Sequence, residues 1–160
     1  MSELRVGLGI DAHAFSDDVP LVLAGVDFPD ERGLAGHSDG DVVAHALIDA
    51  LLGAAGLGDI GDLFPSDDPQ WLDASSIRLL QRAYEVVKGD GFELVNADCI
   101  LIGEEPRIAP LREAMRARLA GAMGVRPEQV AVRATTTDRL GFPGRGEGLA
   151  AQAVVLLVRS

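Results

Sequence analysis

Apolar residues along this chain follow two periodicities, and the switches between them mark out its elements. From Leu4 to Ala14 the sequence is rich in Val, Leu, Ile and Gly and predicts a first strand. Leu21 to Val26, bounded by Pro20 and Pro29, predicts a second. Asp30 to Gly40 is rich in Gly and Asp and reads as a loop. Asp41 to Ala55 predicts a helix, entered through Ser38-Asp39-Gly40, where short polar side chains can cap. Gly56 to Pro69, punctuated by Gly and Pro, predicts a long loop of the kind that often carries function. Ser75 or Ser76 caps a helix running to about Lys88 and stopped by Gly89-Asp90-Gly91. Phe92 to Ile102 predicts a strand, Gly103 to Pro110 a loop, and Leu111 to Met123 a helix that ends at Gly124. Val130 to Thr135 and Leu149 to Val158 are the last strands, with a glycine-rich segment between them. The order β-β-α-α-β-α-β-β predicts an α/β (α+β) two-layer fold, one sheet with helices on one face. No repeat or linker interrupts it, so residues 1–160 are read as a single domain.

Composition narrows the function. The net charge of −11 leaves no basic face for a nucleic-acid backbone, so none is expected as partner. A phosphorylated small substrate stays open, because a bound divalent cation inverts the local field. Cys99 is the lone cysteine, which rules out an intrachain disulfide and a thiolate metal cluster. No apolar run reaches the length of a membrane span, and Met-Ser-Glu-Leu-Arg does not begin a signal peptide. The expectation is a cytoplasmic protein with no membrane partner.

The candidate chemistry is concentrated. His13, His37 and His45 are the only histidines, and aspartates stand among them. In a strand, Asp11 and His13 point the same way, about 7 Å apart along the backbone. On a helical wheel Asp41, His45 and Asp49 form one narrow ionisable stripe, while nearly every other residue of that helix is apolar. A helix apolar all round is buried, and such a stripe must meet partners, water or metal. Two histidines with a carboxylate make the three-ligand set of a catalytic zinc, with one position open. The competing reading is a solvated stripe with a structural histidine. His37, in His37-Ser38-Asp39-Gly40-Asp41 at a helix entrance, suits anion binding on free backbone N–H groups. Asp59, Asp67 and Asp68 in a Gly/Pro loop read by themselves as turn chemistry, and Trp71 reads as a packing residue.

Six ordered motifs add a family. They are Gly9-Ile10-Asp11-Ala12-His13-Ala14-Phe15, His37-Ser38-Asp39-Gly40-Asp41 through His45, Leu57-Gly58-Asp59-Ile60-Gly61, Leu63-Phe64-Pro65-Ser66-Asp67-Asp68-Pro69, Ala134-Thr135-Thr136-Thr137-Asp138, and Gly141-Phe142-Pro143-Gly144-Arg145-Gly146-Glu147-Gly148. With these, essentially the whole chain resembles the 2-C-methyl-D-erythritol 2,4-cyclodiphosphate synthases of the non-mevalonate isoprenoid pathway.

The resemblance implies a chorismate-mutase-like β-α-β-α-β-β domain with a mixed four-stranded sheet. It implies conversion of 4-diphosphocytidyl-2-C-methyl-D-erythritol 2-phosphate to the cyclic 2,4-diphosphate with release of CMP. Asp11, His13 and His45 would hold Zn²⁺. Asp138, where Glu is common, would hold Mg²⁺ or Mn²⁺. His37 and Thr136 would stabilise the transition state, and Ser38 would bind substrate. Asp59, Ile60 and Gly61, with Phe64, Pro65, Ser66, Asp67 and Asp68, would line the methylerythritol phosphate pocket. Gly103, Glu104, Glu105, Pro106, Arg107, Ile108 and Ala109 would form the cytidine pocket. Thr135, Thr137, Phe142 and Arg145 complete the implied substrate set. The resemblance also implies a homotrimer with active sites between subunits. Arg145 and Glu147 would then stand near its axis, at a cavity able to hold an isoprenoid diphosphate. A zinc-dependent phosphohydrolase and a non-catalytic metal- or isoprenoid-binding trimer are the alternatives from other classes.

Overall fold

Two bare glycines set how the sheet meets its first helix. The computed structural model describes residues 1–160. In chain order the elements are β1 (Glu3–Ser16), β2 (Leu21–Leu23), β3 (Val26–Phe28), β4 (Gly33–Leu34), α1 (Val42–Ala55), α2 (Ile60–Leu63), α3 (Ser76–Gly89), β5 (Glu93–Ile102), α4 (Arg112–Met123), β6 (Val130–Thr135), α5 (Gly141–Gly144) and β7 (Gly148–Arg159). On the inward face of β1, a Cβ built on Gly7 would fall 1.9 Å from the carbonyl oxygen of Ala50. One built on Gly9 would fall 1.9 Å from that of Ala46. Helix α1 therefore lies directly on the backbone of β1. The residues it presents there, Ala46, Ala50 and Ala54, are small for the same reason.

The sheet has the order β4-β1-β7-β5-β6. β7 runs antiparallel between β1 and β5, and β6 pairs parallel to β5 at one edge. Four strands match the expected mixed sheet. The fifth, β4, is a two-residue edge pairing with Phe15 and Ser16, inside a stretch whose Gly and Asp content reads as loop. Helix α1 packs on β1 and β7, α4 on β6, and α3 on both helices, so one layer of helices covers one face. A continuous core of 38 buried residues lies between the layers. The other face of the sheet leaves Leu4, Val6, Leu8, Ile10 and Val154 exposed.

The single strand predicted over Leu21 to Val26 is instead a hairpin, β2 and β3, in a separate two-stranded sheet. Its turn, Ala24-Gly25, has φ of 52° and 74°, the positive-φ geometry of a tight hairpin. The cause is distant in sequence. The Asp41 carboxylate accepts hydrogen bonds from the amides of Ala24 and Gly25 at 2.8 and 2.7 Å. The long loop from residue 56 also holds a helical turn, α2, closed by a reciprocal capping box between Asp59 and Asp62. No helix is long and apolar enough to cross a membrane.

Candidate functional site

Asp11 and His13 stand two apart on β1, so both side chains face the helical layer. The glycine contact brings α1 close enough for His45, in its first turn, to meet them. Asp11 Oδ2 lies 2.7 Å from His13 Nε2 and 3.2 Å from His45 Nδ1. One donor atom from each of the three residues falls within 4.8 Å of the others. The two imidazoles meet edge to face, centroids 5.4 Å apart. Asp11 Oδ2 and His13 Nε2 are shut off from solvent, yet neither has a hydrogen bond of acceptable geometry. Buried polar atoms without partners are costly. Donors this close, aimed past one another, are satisfied together by a cation between them. A carboxylate with two imidazoles is the donor set of a catalytic zinc with one position left open.

The charges follow the same geometry. Burial works against ionisation of Asp11, but its contacts with His13 and His45 prevail and hold the carboxyl at about 2. The Asp11 contact raises the pKa of His13, against the opposing effect of burial. Asp41, the first member of the ionisable stripe, does not face this centre. It is fully buried and accepts from Ala44 N as well as from the hairpin turn. Burial, with Asp39 nearby, pushes its carboxyl up to about 6. Asp49, the third member, is held raised by burial and accepts the Ile60 amide at 2.7 Å.

The three donors open into a cavity of about 560 Å³, whose lining includes His37, Ser38, Ile60, Gly61, Phe64, Pro65, Ser66 and Asp67. These come from the expected zinc and methylerythritol groups. Asp59 and Asp68 do not line it: Asp59 caps α2 and Asp68 accepts the Gln70 amide. The remaining expected residues lie elsewhere on the chain. Glu104, Glu105 and Arg145 line a separate cavity of about 350 Å³ with Phe15, Arg32 and Arg139. Ile108 is buried in the core. Glu104 accepts the Thr137 amide at 3.2 Å, which ties the loop after β5 to the threonine turn after β6. Asp138 is exposed in that turn with φ of 53°, and its carboxylate accepts the Thr136 hydroxyl at 3.4 Å. Phe142 instead shares a cavity of about 300 Å³ with Ala12, His13 and Ala14. Phe142 apart, the expected substrate set is divided between two regions of the chain.

The model of the YgbB family matches residues 4–158. The chain belongs to the YgbB family. Its relatives include the 2-C-methyl-D-erythritol 2,4-cyclodiphosphate synthase of Rubrobacter xylanophilus, 58% identical over 163 residues that span all of this chain and 98% of that protein. The synthase of Moorella thermoacetica is 56% identical over 155 residues, 97% of this chain and 95% of its own length. Among solved structures, a 2C-methyl-D-erythritol-2,4-cyclodiphosphate synthase in a CDP-bound form superposes with a TM-score of 0.87. It is 38% identical and covers 96% of this chain and 99% of its own. The bifunctional IspDF of Campylobacter jejuni superposes with a TM-score of 0.96 at 44% identity, over all of this chain and 43% of that longer one.

In this YgbB-family protein a layer of side chains backs the three converging donors, and its member Ser76 lies outside the quoted motifs. His45 Nε2 lies 2.8 Å from Ser76 Oγ and 3.0 Å from Ser38 Oγ. Ser76 bonds through its hydroxyl to Asp39 Oδ1 and through its amide to Asp39 Oδ2, the latter at 2.9 Å. From sequence Ser76 reads as a helix cap, and nothing local signals more. Trp71 and Leu79 also line the cavity. Trp71 meets Phe64 edge to face at 4.8 Å, so the packing role expected of it also builds the apolar wall of the site.

Proposed function

We propose that this chain is a 2-C-methyl-D-erythritol 2,4-cyclodiphosphate synthase of isoprenoid biosynthesis, a cytoplasmic single-domain enzyme of the phosphorus–oxygen lyase type. The substrate's 2-phosphate oxygen bonds to the β-phosphorus, the bond from that phosphorus to the CMP oxygen breaks, and CMP leaves with the electron pair. The observation that carries the reading is the convergence of Asp11, His13 and His45 with two orphaned donor atoms at a deep cavity.

Asp11, His13 and His45 would hold Zn²⁺, which supplies positive charge and Lewis acidity to a diphosphate oxygen. Asp138 would be the one protein ligand of Mg²⁺ or Mn²⁺, and one carboxylate alongside substrate phosphates is a usual way to bind magnesium. The remaining work is positioning, since phosphoryl transfer has a loose transition state and little covalent chemistry for the protein to do. The Ser38 hydroxyl donates to phosphate, while the Ile60–Gly61 backbone and Asp67 receive the polyol. Phe64 and Trp71 exclude water. His37 and the Thr136 hydroxyl stabilise the spread negative charge.

The split substrate set supports a homotrimer in which one subunit's zinc cavity meets residues 103–109 and 135–138 of its neighbour. The exposed Leu4, Val6, Leu8, Ile10 and Val154 give this assembly an apolar face to bury. Arg145, paired with Glu147 at 2.9 Å, would stand with Phe142 near the axis, where an isoprenoid diphosphate can be held.

The test is product analysis. Metal-loaded protein incubated with 4-diphosphocytidyl-2-C-methyl-D-erythritol 2-phosphate should give equimolar CMP and cyclic diphosphate by ³¹P NMR. Absence of CMP, or CMP together with a linear hydrolysed product, overturns the assignment.

A further inference from the structure

We propose that Ser76, backed by Asp39, is a positioning residue that fixes the tautomer of His45 and so presents a bare Nδ1 to the cation. The inference rests on the zinc reading of the same site and follows from proton bookkeeping.

Three donors converge on the Asp39 carboxylate. The Asp41 amide reaches Oδ1 at 3.1 Å, the Ser76 amide reaches Oδ2 at 2.9 Å, and the Ser76 hydroxyl also reaches Oδ1. A carboxylate only accepts, so the hydroxyl proton of Ser76 is committed to Asp39. Ser76 Oγ then has lone pairs alone to offer His45 Nε2, 2.8 Å away. The Ser76 contact therefore selects the form with hydrogen on Nε2, and a neutral imidazole with Nε2–H has an unprotonated Nδ1. That Nδ1 is the atom 3.2 Å from Asp11 Oδ2 in the donor cluster. The opposite tautomer would turn Nδ1–H toward the Asp11 carboxylate, in the cation's place, and set two lone pairs against each other at Ser76. Ser76 is wholly buried, so water has no access to relieve that mismatch. Ser38 Oγ lies 3.0 Å from the same nitrogen and 3.4 Å from Ser76 Oγ, to which its hydroxyl can donate.

A hydrogen-bonded partner behind a metal-binding histidine sets its ring orientation and basicity. Here a serine at the start of α3 does so, with its own proton direction dictated by an aspartate from the loop before α1.

The measurements are ¹⁵N chemical shifts of the His45 ring in metal-free protein and the Zn²⁺ dissociation constant by chelator competition. His45 should appear as the Nε2–H tautomer in the wild type. Ser76→Ala should mix the two tautomers and weaken Zn²⁺ binding about 10- to 100-fold. Asp39→Asn gives an independent reading, since its amide can donate to Ser76 Oγ, turn the hydroxyl toward His45 and populate the Nδ1–H form. Circular dichroism of each metal-free variant reports whether it folds. An Nδ1–H tautomer in the wild type, or a folded Ser76→Ala with unaltered Zn²⁺ affinity, overturns the proposal. Wild-type protein that binds no Zn²⁺ would instead overturn the zinc reading, while the tautomer of His45 is still read directly.

Discussion

Asp11 occupies the point at which burial and charge conflict most. Its carboxyl sits at about 2 because the flanking imidazoles outweigh desolvation, while the His13 pKa is raised by the same contact. The two shifts make opposite demands on pH. Asp11 stabilises the metal-free fold above its ordinary value of 3.8 and loses that contribution as pH falls toward about 2. His13 stabilises it fully below its ordinary value of 6.5 and loses its contribution as pH rises through the elevated folded value. Between pH 5.5 and 8 the Asp11 contribution is therefore constant while that of His13 declines, so metal-free protein loses stability from this pair over that rise. Zinc needs neutral imidazoles, so its binding strengthens over the same rise. The gap in Tm between zinc-loaded and chelator-treated protein should widen from pH 5.5 to 8, as differential scanning fluorimetry would show; a gap that narrows contradicts the assignment. Asp11→Ala and His13→Ala should each drop bound zinc from about one ion per chain to near none by elemental analysis, because two protein ligands make a poor zinc site. The convergence of Asp11, His13 and His45 was legible in the sequence, from D-x-H on a strand and a lone histidine on a greasy helix. Asp41 was not. Its place on the same helical stripe suggested a shared target, but only the fold reveals two unsatisfied amides of a hairpin turn beside it.

At the level of elements, the same reasoning separates what local pattern can show from what it cannot. Helices α1 and α4 and the long strands follow from periodicity, the helices ending at glycine stops, Gly56 and Gly124, both with left-handed φ. The hairpin depends on a carboxylate sixteen residues beyond Gly25. Strand β4 depends on pairing with the end of β1. Neither leaves a local signature, because the stabilising partner is distant. Replacing Asp41 with Ala should cost about 3 kcal/mol in denaturant unfolding, combining a lost N-cap with buried amides left unpaired. A cost below about 1 kcal/mol would mean that the turn does not depend on Asp41. Gly9→Ala should be equally severe, about 3 kcal/mol, because the added methyl group meets the backbone of α1 rather than a side chain that can swing away.

For the whole molecule, the division of the substrate residues matters more than any single group. None of residues 103–109 or 135–138 lines the cavity at Asp11, His13 and His45 within one chain. The residues themselves do not say which copy supplies each, and the division enters the sequence reading only through the family resemblance, which implies active sites between subunits. A charged residue on the exposed sheet face, as in Val6→Glu, should give monomers by sedimentation that retain zinc yet release CMP at least about 100-fold more slowly, since the substrate-positioning residues would no longer converge. Full activity in such a monomer would place the whole site within one chain.

The contact of Gly7 and Gly9 with α1 bears finally on which ion is chosen. No side chain cushions the strand from the helix, so the bite available to Asp11, His13 and His45 is gauged by the thickness of two peptide backbones. A shim as small as a methyl group would spread the three donors and weaken their hold on zinc, whose bonds to imidazole nitrogen are about 2.0–2.1 Å.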